Sequence, residues 1–169
     1  MIKILIMDVD GTLTDGRIYM GDQGEMIKAF DVKDGCGIKD ILPTANILPV
    51  IITGRNSELV KRRCDELNIE HCYQGIKDKK KEMDCLLERL SEEWETLVGY
   101  ENCAYIGDDI LDISCMEAIK NAGGQVGCPM DAVESVKKNV DFISSRNGGN
   151  GAVREFIEYL VLRNSMMDS

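Results

Sequence analysis

Apolar residues dominate two short stretches, IKILIM (2–7) and ILPVIIT (47–53), and each gives way abruptly to polar, glycine-bearing sequence. Runs of this length predict buried strands. Downstream of the second, NSELVKRRCDELN places Leu59, Val60, Cys64 and Leu67 at helical spacing. The alternation continues with a helix near 34–45, a short strand in EHCY and a helix in KDKKKEMDCLLERL. A strand in CAYIG (103–107), a helix through about 121, strands in GQVG and DFI, and a helix near 150–163 complete it. This order predicts an α/β fold of three-layer, Rossmann-like form, with a central, mostly parallel sheet and helices on both faces.

One segment breaks the rhythm. GRIYMGDQGEMIKAF (16–30) has two short runs around GDQG, which predicts a β-hairpin inserted after the first strand and projecting from the body. Without a linker, repeat or low-complexity stretch, a single domain over 1–169 is expected, with a C-terminal helix and tail over about 148–169.

Composition narrows the classes. Hydrophobic residues make up 44% and charged residues 30%, the balance of an ordinary globular chain. No stretch approaches the roughly 18 apolar residues that a membrane span needs, and MIKILIM lacks the cleavage site of a secretory leader. A net charge of −10 opposes a nucleic-acid partner. It still allows a phosphate bound in a locally positive pocket or through a metal. Seven cysteines, none in a CxxC pair, favour reduced core thiols and a cytoplasmic protein over a disulfide framework.

Open α/β sheets bind ligands outside the carboxyl ends of their strands. Asp8 and Asp10 follow the first strand, and Thr53, Gly54 and Arg55 the second. Asp108, Asp109 and, one turn on, Asp112 follow CAYIG, while Lys79 opens the helix after EHCY. Acids converging with a lysine suggest a hard divalent cation, and Mg²⁺ commonly takes one or two carboxylates plus a substrate phosphate. Asp8 and Asp108 would supply carboxylates and Asp10 its backbone carbonyl. Lys79 and the Thr53 hydroxyl would meet phosphate oxygens. An EF-hand loop starting at Asp8 is excluded, because its sixth position is Leu13 and its twelfth Tyr19. The only histidine, His71, stands in a short strand, so histidine-based mechanisms have little material.

Taken in order, DVDGTLTD, ITGR, the lysine of QGIKDKKKEMD and GDDILD resemble the four motifs of the haloacid dehalogenase superfamily of phosphotransferases. The resemblance implies that Asp8 is a nucleophile carrying an aspartyl-phosphate and that Asp10 transfers protons. It implies phosphate binding by Thr53, Gly54 and Lys79, and Mg²⁺ held by Asp8, Asp10 and Asp108. Asp109 would be a further residue around the metal, and Asp112 would orient the others from behind. Members usually insert a cap domain between the first and second or the second and third motifs. Here those intervals hold only the hairpin with one helix, and one helix with a short strand. No cap is expected, and the hairpin is the candidate cover.

Longer stretches, including DGRIYMGDQGEMIKAFDVKDGCGIK, ITGRNSELVKRRCDELNI and the tail RNGGNGAVREFIEYLVL, are similar to capless phosphatases of phosphorylated 2-keto-3-deoxy sugar acids. That resemblance implies a cytoplasmic homotetramer whose hairpins and tails help form a neighbour's site, serving lipopolysaccharide synthesis. An eight-carbon octulosonate 8-phosphate is the implied substrate. A nine-carbon, sialic-acid-like nonulosonate 9-phosphate is the alternative. Arg55 favours the former: a guanidinium suits a bidentate pair with the substrate carboxylate, and the nonulosonate branch tends to have an acidic residue there. Arg63 and Arg154 are further candidates for that carboxylate. A receiver-type signalling domain would need a lone acceptor Asp after a middle strand, which DxD on the first strand does not match. Four intact motifs argue against a non-catalytic relative.

Overall fold

The two apolar runs become neighbouring central strands, β1 (Ile4–Met7) and, after a hairpin of β2 (Tyr19–Gly21) and β3 (Gly24–Ile27), β4 (Leu48–Ile52). A computed structural model describes residues 1–167; positions 168–169 of the expected tail lie outside the described residues. The remaining strands are β5 (His71–Tyr73), β6 (Cys103–Ile106), β7 (Gln125–Cys128) and β8 (Phe142–Ile143). They form one six-stranded sheet in the order β5-β4-β1-β6-β7-β8, with every pairing parallel.

The chain winds from β1 outward to β4 and β5, then returns across β1 to β6, β7 and β8. Helix α2 (Glu58–Leu67) joins β4 to β5, while α3 (Lys79–Glu93) and α4 (Ile113–Asn121) carry the return. Alternate residues of β1 serve the two faces. Leu5 and Met7 pack in a core with Val60 and Leu67 of α2 and Phe156 and Leu160 of the C-terminal helix α6 (Ala152–Met167). Ile4 and Ile6 pack with Met83 and Leu86 of α3 and Met116 and Ile119 of α4. Burial on both faces explains why β1 reads as a nearly continuous apolar run. The reversal of winding places a topological switch point at the carboxyl end of β1.

Two elements differ from the sequence reading. The single helix expected near 34–45 is α1 (Val32–Cys36), a wide π-type turn over Gly37–Ile41 and a short 3₁₀ turn over Pro43–Ala45. Gly35 and Gly37 weaken a regular helix, and Pro43 has no N–H with which to continue it. Both glycines are needed for close packing: a Cβ on Gly35 would lie 2.4 Å from Arg63 Nη2, and one on Gly37 3.0 Å from Ile157. The other difference is α5 (Glu134–Lys137), one turn between β7 and β8 that the apolar pattern did not announce.

The hairpin does project. Its turn is Asp22–Gln23, Gly24 takes φ +107°, and Tyr19, Met20, Met26 and Ile27 are all exposed. Among the described residues no cap domain follows it, and no helix is long and apolar enough to cross a membrane.

Candidate active site

Asp8 is the first residue past β1, and its amide donates to Ile106 O of β6 at 3.1 Å, so the strand pairing itself fixes its backbone. Its carboxylate is buried, with Oδ1 2.6 Å from Lys79 Nζ. Lys79 is the first residue of α3, whose start is capped by Asp78 accepting from the Lys81 amide at 3.0 Å. The ammonium also donates to Asp112 Oδ1 at 2.8 Å. Asp112 is fully engaged: Oδ1 accepts from Tyr105 Oη as well, at 2.8 Å, and Oδ2 accepts from the Asp108 and Asp109 amides at 3.1 and 3.2 Å. It orients the loop after β6 and the lysine together.

Carboxylate oxygens of Asp8, Asp108 and Asp112 all lie within 4.8 Å of one another. Burial, with the like charge of Asp112, pushes Asp8 up to about 6. Burial, with the charges of Asp8 and Asp112, pushes Asp108 up to about 7. Lys79 is shifted the other way from what burial alone would do: Asp8 and Asp112 hold its ammonium above the usual lysine range. One lysine cannot neutralise three gathered carboxylates, and a hard dication fits the oxygen donors that remain. Since both oxygens of Asp112 are already committed to four donors, Asp8 and Asp108 are the side chains with room for it.

The loop after β1 is braced from two sides. Thr12 Oγ1 donates to Asp108 Oδ1 at 3.1 Å, and Gly11 (φ +95°) passes so close that a Cβ there would lie 2.1 Å from Asp108 Oδ2. From the other side, Gly149 N donates to Thr12 O at 2.9 Å. A Cβ on Gly148 would stand 1.9 Å from Gly11 O. The glycines before α6 therefore seat the loop that carries Asp8 and Asp10.

Toward solvent the site changes character. Asp10 forms a short ion pair with Lys28, which stands just beyond β3 and also lies 2.8 Å from Glu25 Oε1. Arg55, past β4, reaches to 3.9 Å from both Asp10 and Glu25 with its side chain half exposed. Thr53 is buried, its amide donating to Tyr73 O at 2.9 Å.

An open cleft of about 160 Å³ gathers Asp8, Asp10, Thr53, Gly54, Arg55, Lys79, Asp109 and Asp112, together with Leu111. Asp109 is exposed and caps its own turn, Oδ1 accepting from Ile110 N at 2.7 Å. It lies outside the close carboxylate group. Arg63 and Arg154 do not reach this cleft in one chain. Arg63 lies over the Phe30 ring and pairs with Glu66 at 2.8 Å; Arg154 pairs with Glu158 at 2.6 Å. Three participants carried no signal of their own in the sequence: Tyr105, Gly148 and Lys28. His71 is spent on Tyr73 Oη at 3.1 Å.

A doubly wound parallel sheet whose switch point gathers DxDGT, a threonine, a lysine and GDD defines a capless phosphotransferase of the haloacid dehalogenase type. No protein-family model matches the chain. The 3-deoxy-D-manno-octulosonate 8-phosphate phosphatase of Salmonella typhi is 43% identical over 167 residues, 99% of this chain and 83% of that protein. The crystal structure of the Yersinia pestis phosphatase of the same name superposes with a TM-score of 0.84 at 38% identity, covering 99% of this chain and 85% of that one. The Moraxella catarrhalis phosphatase, solved with magnesium, phosphate and the KDO sugar acid, gives 0.80 at 39% identity, over 96% and 86%. The chain belongs to the family of 3-deoxy-D-manno-octulosonate 8-phosphate (KDO 8-phosphate) phosphatases.

Proposed function

We infer that the protein is a Mg²⁺-dependent phosphatase converting KDO 8-phosphate to KDO and inorganic phosphate. The observation that carries this reading is the buried Asp8–Lys79–Asp112 chain beside Asp108, at the switch point of a sheet shared with family members. Asp8 and Asp108, with the Asp10 carbonyl, would hold the ion, which when bound supplies charge to offset the carboxylates and the phosphoryl oxygens.

The chain's own residues account for the steps. A carboxylate oxygen of Asp8, fixed by Lys79, attacks phosphorus and forms an acyl-phosphate as the bond to the sugar oxygen breaks. Asp10 gives that oxygen its proton, then takes a proton from the water that attacks phosphorus and frees Asp8. Thr53, the Gly54 backbone and Lys79 bind the phosphoryl oxygens. Arg55 has an exposed guanidinium on the rim and would receive the sugar-acid carboxylate.

The assembly we propose is a homotetramer. Support comes from exposed apolar residues on the hairpin (Met20, Met26, Ile27) and at the cleft (Leu111), with no cap domain among the described residues. A cytoplasmic setting is in keeping with its seven free cysteines.

The test is phosphate release from KDO 8-phosphate and from a nine-carbon 9-phosphate with Mg²⁺, alongside light scattering for mass. KDO 8-phosphate is expected to win. A preference above about tenfold, ~1.4 kcal/mol, for the nine-carbon ester overturns the substrate. No turnover of any sugar phosphate overturns the enzyme.

A further inference from the structure

Lys28 plays no part in the steps above, yet no cation of the outer site is more deeply committed. Its neighbour Ile27 is 55% exposed, and a lysine at the foot of a projecting hairpin would ordinarily send its ammonium to water. Here the side chain is 1% exposed. A buried ammonium needs charged partners, and it has two: Asp10, in a short contact, and Glu25 at 2.8 Å.

Arg55 faces the same two carboxylates differently. At 3.9 Å from each, and 49% exposed, it is free to turn toward a ligand. Lys28 is not. The division suggests separate duties, one cation for substrate and the other for Asp10.

We propose that Lys28 is a positioning residue for proton transfer: from the foot of the hairpin, and braced by Glu25, it holds the Asp10 side chain at the cleft in its own subunit. Asp10 follows a strand end in a loop with glycine beside it, so its backbone alone leaves the carboxylate several rotamers. A proton donor must meet the leaving oxygen within hydrogen-bond reach. The hairpin thereby becomes part of the acid–base machinery as well as a cover. This deepens the phosphatase reading and rests on Asp10 having the role given above.

The experiment compares two esters with the full-length enzyme and Mg²⁺. Phosphoryl transfer to Asp8 expels an alkoxide from KDO 8-phosphate, which needs the proton, and a phenolate from p-nitrophenyl phosphate, which does not; water attack on the acyl-phosphate then follows for both. Wild-type turnover of KDO 8-phosphate tests the phosphatase reading alone. The ratio of variant to wild type on the two esters tests Lys28, and any alkyl phosphate that the enzyme accepts can carry it. Lys28→Met is expected to slow the first-turnover release of the alcohol from the alkyl ester at least about tenfold while changing the first-turnover release of p-nitrophenol less than about threefold. Lys28→Arg restores most of the loss, and Lys28→Met adds little in an Asp10→Asn background. Equal losses in that first step on both esters, or a change confined to KM, overturn the proposal. Should Lys28→Met fail to fold, Glu25→Gln removes only the brace. It is expected to give a smaller loss with the same ester selectivity, and a uniform loss would count against the idea.

Discussion

Asp8 and Asp10 stand two residues apart and belong to differently built halves of one cleft. The half around Asp8 is anchored to central strands. β1 and β6 fix the backbone, Lys79 opens a helix packed on the core, and Asp112, itself held by Tyr105 Oη, spends three hydrogen bonds on holding it and the loop. The half around Asp10 leans on a two-stranded hairpin with exposed apolar residues and on a half-exposed arginine. The proposed nucleophile, Asp8, and the lysine that fixes it, Lys79, sit in the buried half. In the function proposed above, recognition of a particular alcohol would fall to the solvent-facing half, which a neighbouring copy would complete.

If that division holds, damage to the inner half should remove turnover from every ester. Asp8→Asn is expected to lower kcat at least about 10⁴-fold on KDO 8-phosphate and p-nitrophenyl phosphate alike, as read in phosphate-release assays. Gly148→Ala comes next. Its Cβ would stand 1.9 Å from Gly11 O, forcing the loop that carries both aspartates to move. A shift of about 1 Å costs roughly 10²-fold in kcat, and it should be equal for the two esters. An effect on one ester only would put Gly148 in the outer half.

Damage to the outer half should be selective. Arg55→Met removes a charge-assisted pair valued at about 1.5–3 kcal/mol, so KM for KDO 8-phosphate rises roughly 10–100-fold while KM for p-nitrophenyl phosphate stays put. Matching increases in both would assign Arg55 to the phosphate.

The smallest effect is on stability. Asp8, Asp34 and Asp108 are raised from 3.8 to about 6, 6 and 7, chiefly by burial. Asp34 accepts from the Gly151 and Arg154 amides at 3.4 and 2.8 Å and stays raised despite them. Carboxyls raised in the folded state add stability that is fully present below the unfolded value and is lost as pH rises through the folded value. Chelated protein should therefore lose Tm between about pH 4 and 7, and Mg²⁺ should raise Tm more at pH 8 than at pH 5. Asp108→Asn should raise the chelated Tm at pH 8 by roughly 2–8 °C. A lower Tm for that variant would mean that its hydrogen bond from Thr12 outweighs the repulsion.

The same division governs what could be read from the sequence. Strand-end motifs were legible because a parallel sheet buried on both faces produces apolar runs, and functional residues follow directly where those runs stop. The hairpin was legible from GDQG. The broken helix after it was not: Gly35 and Gly37 make close approaches to α2 and α6, which no local periodicity reports. Gly148 is of the same kind, its constraint being a backbone far away in the chain. Lys28 looked like one more lysine on an exposed strand, because the carboxylate that buries it is 18 residues earlier. Arg63 and Arg154 were singled out by resemblance, and within one subunit each is paired along its own helix.

The account's central claim is that phosphate passes through Asp8. Acid quenching of the enzyme during turnover of radiolabelled KDO 8-phosphate, followed by peptide mapping, tests it directly. Label is expected on the peptide containing Asp8, absent from Asp8→Asn, and at a higher level in Asp10→Asn, where water attack is slowed. Label on any other residue, or turnover by Asp8→Asn at the wild-type rate, would contradict it.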